Sequence, residues 1–502
     1  MLGLGKKSVF VLVIAIALGY RYTSSKHKSY RDNLNKWTDP SVKFLTPNPI
    51  DQSMLYRTAS EIVDPIAAEP TGKIPKWLSG TLLRDGPGLF EFGDEHALHA
   101  FDGMAMIRRY HTNQVEGPAL NFSRRLIDSD ILKANREEKR YTKYGIGTPA
   151  KGGVLDRLKG MKEPGADNVV VNTLKLFGHY YAATELPQVT EYDPETLETL
   201  SKVDVTDKIP GIKIMTPHPL YDSDGTMWNI AFANGPDREG KLTGAWRYVV
   251  FKVTPPKTDE ERADPWLNLE IVSELGSSRA MSVSYLHSFF MTENYLIFTE
   301  QPWIFGDFPT VIYKHILLGK SLGESMNWES DSTLKFHVME KATGKFLPTN
   351  YEADAMGFYH IINAYEENDC LILDAPFKSS PVSYDAFMTK FLASDPKTLQ
   401  DYMVSLGPTA GLSKRWVIPL IIPDTYNHPS KLHLAENGKV DPNSYELLIS
   451  QEDSKAGAWH VEENTVYLQP ELLAPVEQYE YHRALEFVAV NPNFWAKKYR
   501  LV

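Results

Sequence analysis

The sequence predicts an all-β protein, and three observations carry that prediction. After about residue 40 long helical periodicity is rare. Short apolar runs rich in β-branched and aromatic residues recur, and Gly, Pro, Asn and Asp turns separate them. Many such strands over several hundred residues are the pattern of a barrel set, a sandwich array or a propeller. No WD or kelch period is present, so any blades have diverged.

Taken in order, the N-terminus stands apart. "KKSVFVLVIAIALGY" sets two lysines before an apolar run from Val9 to about Tyr20. A dozen helical residues span roughly 18 Å, short of a bilayer core of about 30 Å. The run therefore reads as a signal h-region or a short signal-anchor, followed by a polar linker, over residues 1–40. Residues 41–502 form the folded domain. Its expected strands include "GTLLRDGPG", "WRYVVFKVTPP", "NYLIFTEQP", "CLILDAP" and "NTVYLQPE". Hairpins are expected at "YDSDGTMWN", around Asp224-Gly225, and at "MEKATGKFLP", around Thr343-Gly344. Two stretches read as helices, residues 152–162 and 383–406. "YDSDG" begins like a calcium loop, but no Glu follows at the required position, so a turn is the better reading.

Composition removes several functions. Lys plus Arg number 53 against 64 Asp plus Glu, a net charge of −11, so nothing electrostatic favours nucleic acid. Cys370 is the sole cysteine, which excludes a disulfide framework and any Cys-based zinc or iron–sulfur site. A metal would have to be held by histidines and carboxylates. There is no G-x-S-x-G elbow, no phosphate-binding glycine loop and no H-E-x-x-H.

Three histidines share a setting. His218 lies in "MTPHPLYDSDGT", His287 in "SYLHSFFMTENY" and His360 in "GFYHIINAYEEN". They are 69 and 73 residues apart, as equivalent places in successive repeats would be. A propeller aims its inner strands at one axis, where neutral imidazoles suit Fe, Zn, Cu or Ni. A histidine among aromatics is also an ordinary core residue, and the chain has 14 in all. Spacing alone leaves both readings open. His96, His99, His428 and His433 compete, the first pair beside a turn and the second among polar loop residues.

Six ordered motifs narrow the choice: "LLRDGPGLFEFG", "HAFDGMAMI", "TPHPLYDSDGTMWNI", "SYLHSFFMTENYLIFTEQP", "YHIINAYEE" and "YLQPE". In this order they resemble the carotenoid cleavage oxygenases, a family that includes animal beta-carotene oxygenases and the retinal-pigment-epithelium retinoid isomerase. The resemblance runs from about residue 50 to the end. It implies a seven-bladed β-propeller with a helical cap, and non-haem Fe(II) on its axis. His218, His287 and His360 match three iron ligands; Glu185 and Glu471 match carboxylates that accept hydrogen bonds from ligand imidazoles. Phe90 and Thr184 match positions lining a substrate tunnel. The implied reaction is cleavage of a conjugated double bond of a carotenoid or apocarotenoid by O2. The alternatives are a retinoid isomerohydrolase of the same fold and an inactive lipid or carotenoid binder.

The chain also departs from the family pattern. Relatives carry a fourth histidine in a closing "FHG" motif, whereas this sequence ends at "WAKKYRLV", and "VAVNPNFW" stands where "PQINY" is expected. The resemblance thus implies that the closing strands and the fourth ligand lie beyond Val502, and that the chain as given is an incomplete form. Where relatives have an acylated "PDPC" segment, this chain has "GTPAKGGVLDRLKGMK", whose Val154, Leu155 and Leu158 form an apolar face. Membrane association is expected through that face or the N-terminal segment, at the endoplasmic reticulum, with a cytoplasmic location as the alternative.

Overall fold

The computed structural model describes the chain from Tyr56 to Tyr499, leaving out chiefly 114–119, 161–166, 238–241 and 379–388, and most of 393–411, 423–453 and 474–489. The N-terminal apolar segment lies outside the described residues. So does most of the helix expected over 383–406, of which Thr389–Leu392 is described as helical.

The fold is all-β and propeller-like. Among the described residues, four sheets follow a four-strand path of antiparallel neighbours. One such blade runs Ile212–Met215, Met227–Pro236, Leu242–Val253 and Leu269–Gly276. Its second strand shows why the apolar runs are continuous rather than alternating. Met227, Ala231 and Ala233 face one core with Val249, Phe251 and Val253. Trp228, Ile230 and Phe232 face another with Tyr248, Val250 and Phe298. Successive side chains point to opposite faces, and both faces are covered by neighbouring sheets. "CLILDAPF" is buried throughout Cys370–Phe377 in the same way.

One sheet differs from separate radial blades. Strand Asn350–Ala353 pairs in parallel with Thr465–Gln469, a return more than a hundred residues later. This joins two antiparallel groups into a seven-stranded sheet.

Both expected hairpins form. Leu220–Tyr221 pairs with Trp228 and Met227, turning through Gly225 at φ 87°. Met339 pairs with Phe346 around Gly344 at φ 67°. Only glycine adopts these positive φ values without strain. The expected helix at 152–162 forms over Val154–Gly160.

Candidate metal centre

Each of the three spaced histidines sits just before the first strand of a hairpin. His218 precedes Leu220–Tyr221, His287 precedes Phe290–Met291 and His360 precedes Asn363–Glu367. After His287 the first strand begins at Phe290. Tyr285 donates its N–H to Trp303 O (2.8 Å) and Ser284 Oγ donates to Gln301 O (2.7 Å), which holds the segment extended outside a regular ladder. Around His218 the flanking Pro217 and Pro219 have no N–H to give a ladder.

The three side chains converge. His218 Nε2 lies 2.9 Å from His287 Nε2, and His287 Nε2 lies 3.2 Å from His360 Nε2. The rings of His218 and His287 both stand nearly perpendicular to that of His360, at 83° and 80°. Among the described residues this is the one place where three potential metal ligands gather. Metal–imidazole bonds of about 2.1 Å meeting at right angles place their nitrogens roughly 3.0 Å apart, and at the tetrahedral angle roughly 3.4 Å. The observed separations of 2.9 and 3.2 Å are close to what shared ligation of one ion requires.

Protonation points the same way. His218 is held well below the usual imidazole range, first by burial and then by the neighbouring His287 and His360, so it presents a neutral ring. Glu185 Oε1 stands 2.7 Å from His287 Nδ1. With Nδ1–H donating to the carboxylate, His287 turns its Nε2 lone pair toward the other two imidazoles. The hydroxyl of Tyr285 donates to the same carboxylate oxygen. Burial raises the Glu185 carboxyl to about 7, and that hydroxyl bond works in the opposite direction.

Among the described residues no carboxylate stands behind His218 in this way; Asn172 does. Its Nδ2 donates to Pro217 O at 2.9 Å and lies 3.3 Å from His218 Nδ1. Its Oδ1 accepts from Thr173 N at 2.9 Å, which fixes the direction of the amide. An aromatic group closes round the centre. Tyr359 packs edge-on against His287 (5.3 Å) and Trp303 (5.2 Å), and Trp303 against Tyr285 (4.5 Å).

The other expected site residues are distributed differently. Thr184 is partly buried and adjoins Glu185, at the end of strand His179–Ala183. Phe90 is buried, with the rings of Tyr56 and His96 packed against it, and its carbonyl accepts from Tyr141 OH. The carboxylate of Glu471 accepts from Ser454 Oγ (2.8 Å) and Lys455 N (2.7 Å), and among the described residues no imidazole bonds to it. The residue sits on a two-residue strand paired with Arg415, where local loop atoms satisfy both oxygens. His96 bonds to the carbonyls of Ala97 and Tyr56 and is structural, while His428 and His433 lie outside the described residues. Sequence reasoning missed Tyr285 and Asn172. Tyr285 was within reach, because it lies two positions from His287 in the same motif.

A family profile described as retinal pigment epithelial membrane protein matches residues 56–502. Among curated relatives, a mitochondrial carotenoid-cleaving dioxygenase of Mustela putorius furo is 32% identical over 454 residues, which cover 89% of this chain and 77% of that protein. The beta,beta-carotene 15,15'-dioxygenase of Homo sapiens is 30% identical over 462 residues, with 89% and 76% covered. A solved variant of Synechocystis apocarotenoid oxygenase superimposes with a TM-score of 0.61 at 18% identity, covering 91% of this chain and 78% of that one. At that identity the superposition speaks for the fold alone.

Proposed function

Because this chain belongs to the carotenoid oxygenase family of the retinal pigment epithelial membrane protein type, we propose that it is a dioxygenase that cleaves a conjugated double bond of a carotenoid or apocarotenoid. One observation carries the reading: three imidazoles converge, and Glu185 orients the middle one. In the overall reaction the C=C bond is lost, each carbon gains one oxygen atom of O2, and two carbonyl products leave.

His218, His287 and His360 would hold Fe(II), for which imidazole donors with open positions are suited. When bound, iron supplies the one-electron chemistry through which O2 reacts with a closed-shell polyene. The residues' own part is positional. Glu185 fixes the tautomer of His287 and raises its basicity, and Tyr285 keeps that carboxylate in place. Tyr285, Trp303 and Tyr359 give the centre a water-poor aromatic wall suited to a polyene. We further place Thr184 and Phe90 along the substrate path, and read the sheets as part of a seven-bladed propeller under a helical cap.

A lipophilic substrate calls for access from a membrane surface. Helix Val154–Gly160 exposes Val154, Leu155 and Leu158, with Leu155 74% exposed, and this supports insertion at the interface. No helix of the described residues is long and apolar enough to cross a bilayer. As to compartment, the mitochondrion has the support of relatives named as mitochondrial, while nothing supports the endoplasmic reticulum.

The test is to load the purified chain with Fe(II) and give it β-carotene or an apocarotenal in detergent under ¹⁸O₂. Label in both carbonyl products supports the proposal. Products without ¹⁸O, or intact carotenoid after prolonged incubation, would overturn it.

A further inference from the structure

We propose that Gln301 is a positioning residue that sets the spacing between His287 and His360; this rests on the metal-centre reading above. Gln301 is fully buried at the end of strand Tyr295–Glu300 and touches neither histidine directly. Its carboxamide pairs with both backbone groups of one residue. Phe358 N donates to Oε1 at 3.0 Å, and Nε2 donates to Phe358 O at 3.2 Å. A side chain is thus acting as a strand edge toward the segment that carries His360 two residues later. Its own backbone carbonyl accepts from Ser284 Oγ at 2.7 Å, three residues before His287.

One residue therefore fastens both ligand-bearing segments. Their approach is also sterically provided for, since a Cβ at Gly357 would lie 2.6 Å from Gln301 Oε1. Only glycine lets the carboxamide come so near. Phe358 itself is anchored, with its ring fully buried against Phe290 and Phe377. With Phe358 pinned on both backbone groups, the chain has little freedom before His360. A second stitch, from Ser288 Oγ to Tyr359 O, joins the residues next to the two ligands. His287 and His360 lie 3.2 Å apart, Nε2 to Nε2, beside these fastenings.

Loss of the carboxamide would leave Phe358 N–H and C=O buried without partners, and the segment would relax to satisfy them. The predicted consequence is a looser metal site rather than a missing one. Outer partners of ligands typically contribute 10–100-fold to metal affinity.

The experiment titrates the purified full chain with Co(II), reading visible absorption and heat of binding, with urea unfolding in parallel. Gln301→Met keeps the volume and removes both hydrogen bonds; we expect affinity to fall about tenfold or more. Gln301→Glu keeps an acceptor for Phe358 N–H and should fall in between. Thr299→Val is the control on the same strand, fully buried with a hydroxyl that has no hydrogen-bond partner among the described residues, and should bind as wild type. A folded Gln301→Met chain with wild-type affinity, or an equal loss in Thr299→Val, would overturn the proposal. Failure of the wild-type chain to bind Co(II) would instead sink the metal centre itself.

Discussion

Glu185 Oε1 lies 2.7 Å from His287 Nδ1, across 102 positions of sequence. The tertiary fold, not local sequence, brings this carboxylate behind the imidazole, and the bond decides which nitrogen of His287 faces the other two histidines. Glu185→Gln keeps the shape but can meet Nδ1–H only through its weaker, neutral oxygen. Metal affinity should fall about 10–100-fold, with the fold intact, as equilibrium dialysis against Fe(II) or Co(II) would report.

Tyr285→Phe removes the hydroxyl that donates to Glu185. A carboxylate already pushed up to about 7 by burial then keeps only the bond from His287 Nδ1–H. Stability should drop by about 1–3 kcal/mol in urea unfolding, the range for stranding a buried polar group. Metal affinity should weaken with it, because the carboxylate is no longer fixed.

Away from the centre, Asp374 is fully buried and takes both arms of Arg415, at 2.9 and 2.8 Å, and the hydroxyl of Tyr499 at 2.7 Å. Arg415→Met would leave that carboxylate with one strong donor. The expected cost is about 3–5 kcal/mol by chemical denaturation. Tyr499→Phe, which keeps the ion pair, should cost about 1 kcal/mol.

His179 supplies a pH dependence. Burial opposes its charge, yet Glu191 at 2.6 Å and the carbonyl of Arg262 at 2.8 Å both call for N–H donors and raise its pKa above 6.5. A raised folded value means the contribution is fully present below about 6.5 and is lost as pH rises through the folded value. The gap in urea midpoint between wild type and His179→Gln should therefore be wider at pH 6 than at pH 9. An equal gap at both would contradict the charge-assisted pairing.

Leu155→Glu on the exposed helix face tests membrane contact. Co-sedimentation with phosphatidylcholine–phosphatidylserine vesicles should fall severalfold while unfolding is unchanged, since the side chain has few protein neighbours to lose.

Much of this architecture was legible locally. The turns at Gly225 and Gly344 follow from Asp-Gly and Thr-Gly pairs between apolar runs, and the near-equal spacing of the three histidines follows from their repeated place before a hairpin. What depended on distant partners was not. The parallel pairing of Asn350–Ala353 with Thr465–Gln469 has no local signature. Where the strand after His287 starts is not legible locally, because an aromatic run reads the same whether a ladder holds it or single bonds to Trp303 and Gln301 do. Glu185 and Glu471 look alike in sequence, each beside an apolar strand. Only the fold shows that one meets an imidazole and the other a serine and a backbone N–H.

The most direct test of the central claim is iron stoichiometry. Purified chain dialysed anaerobically against Fe(II) should retain about one iron per molecule, and His218→Ala, His287→Ala and His360→Ala should each abolish that retention while remaining folded. Equal retention by wild type and the His287→Ala chain would contradict it.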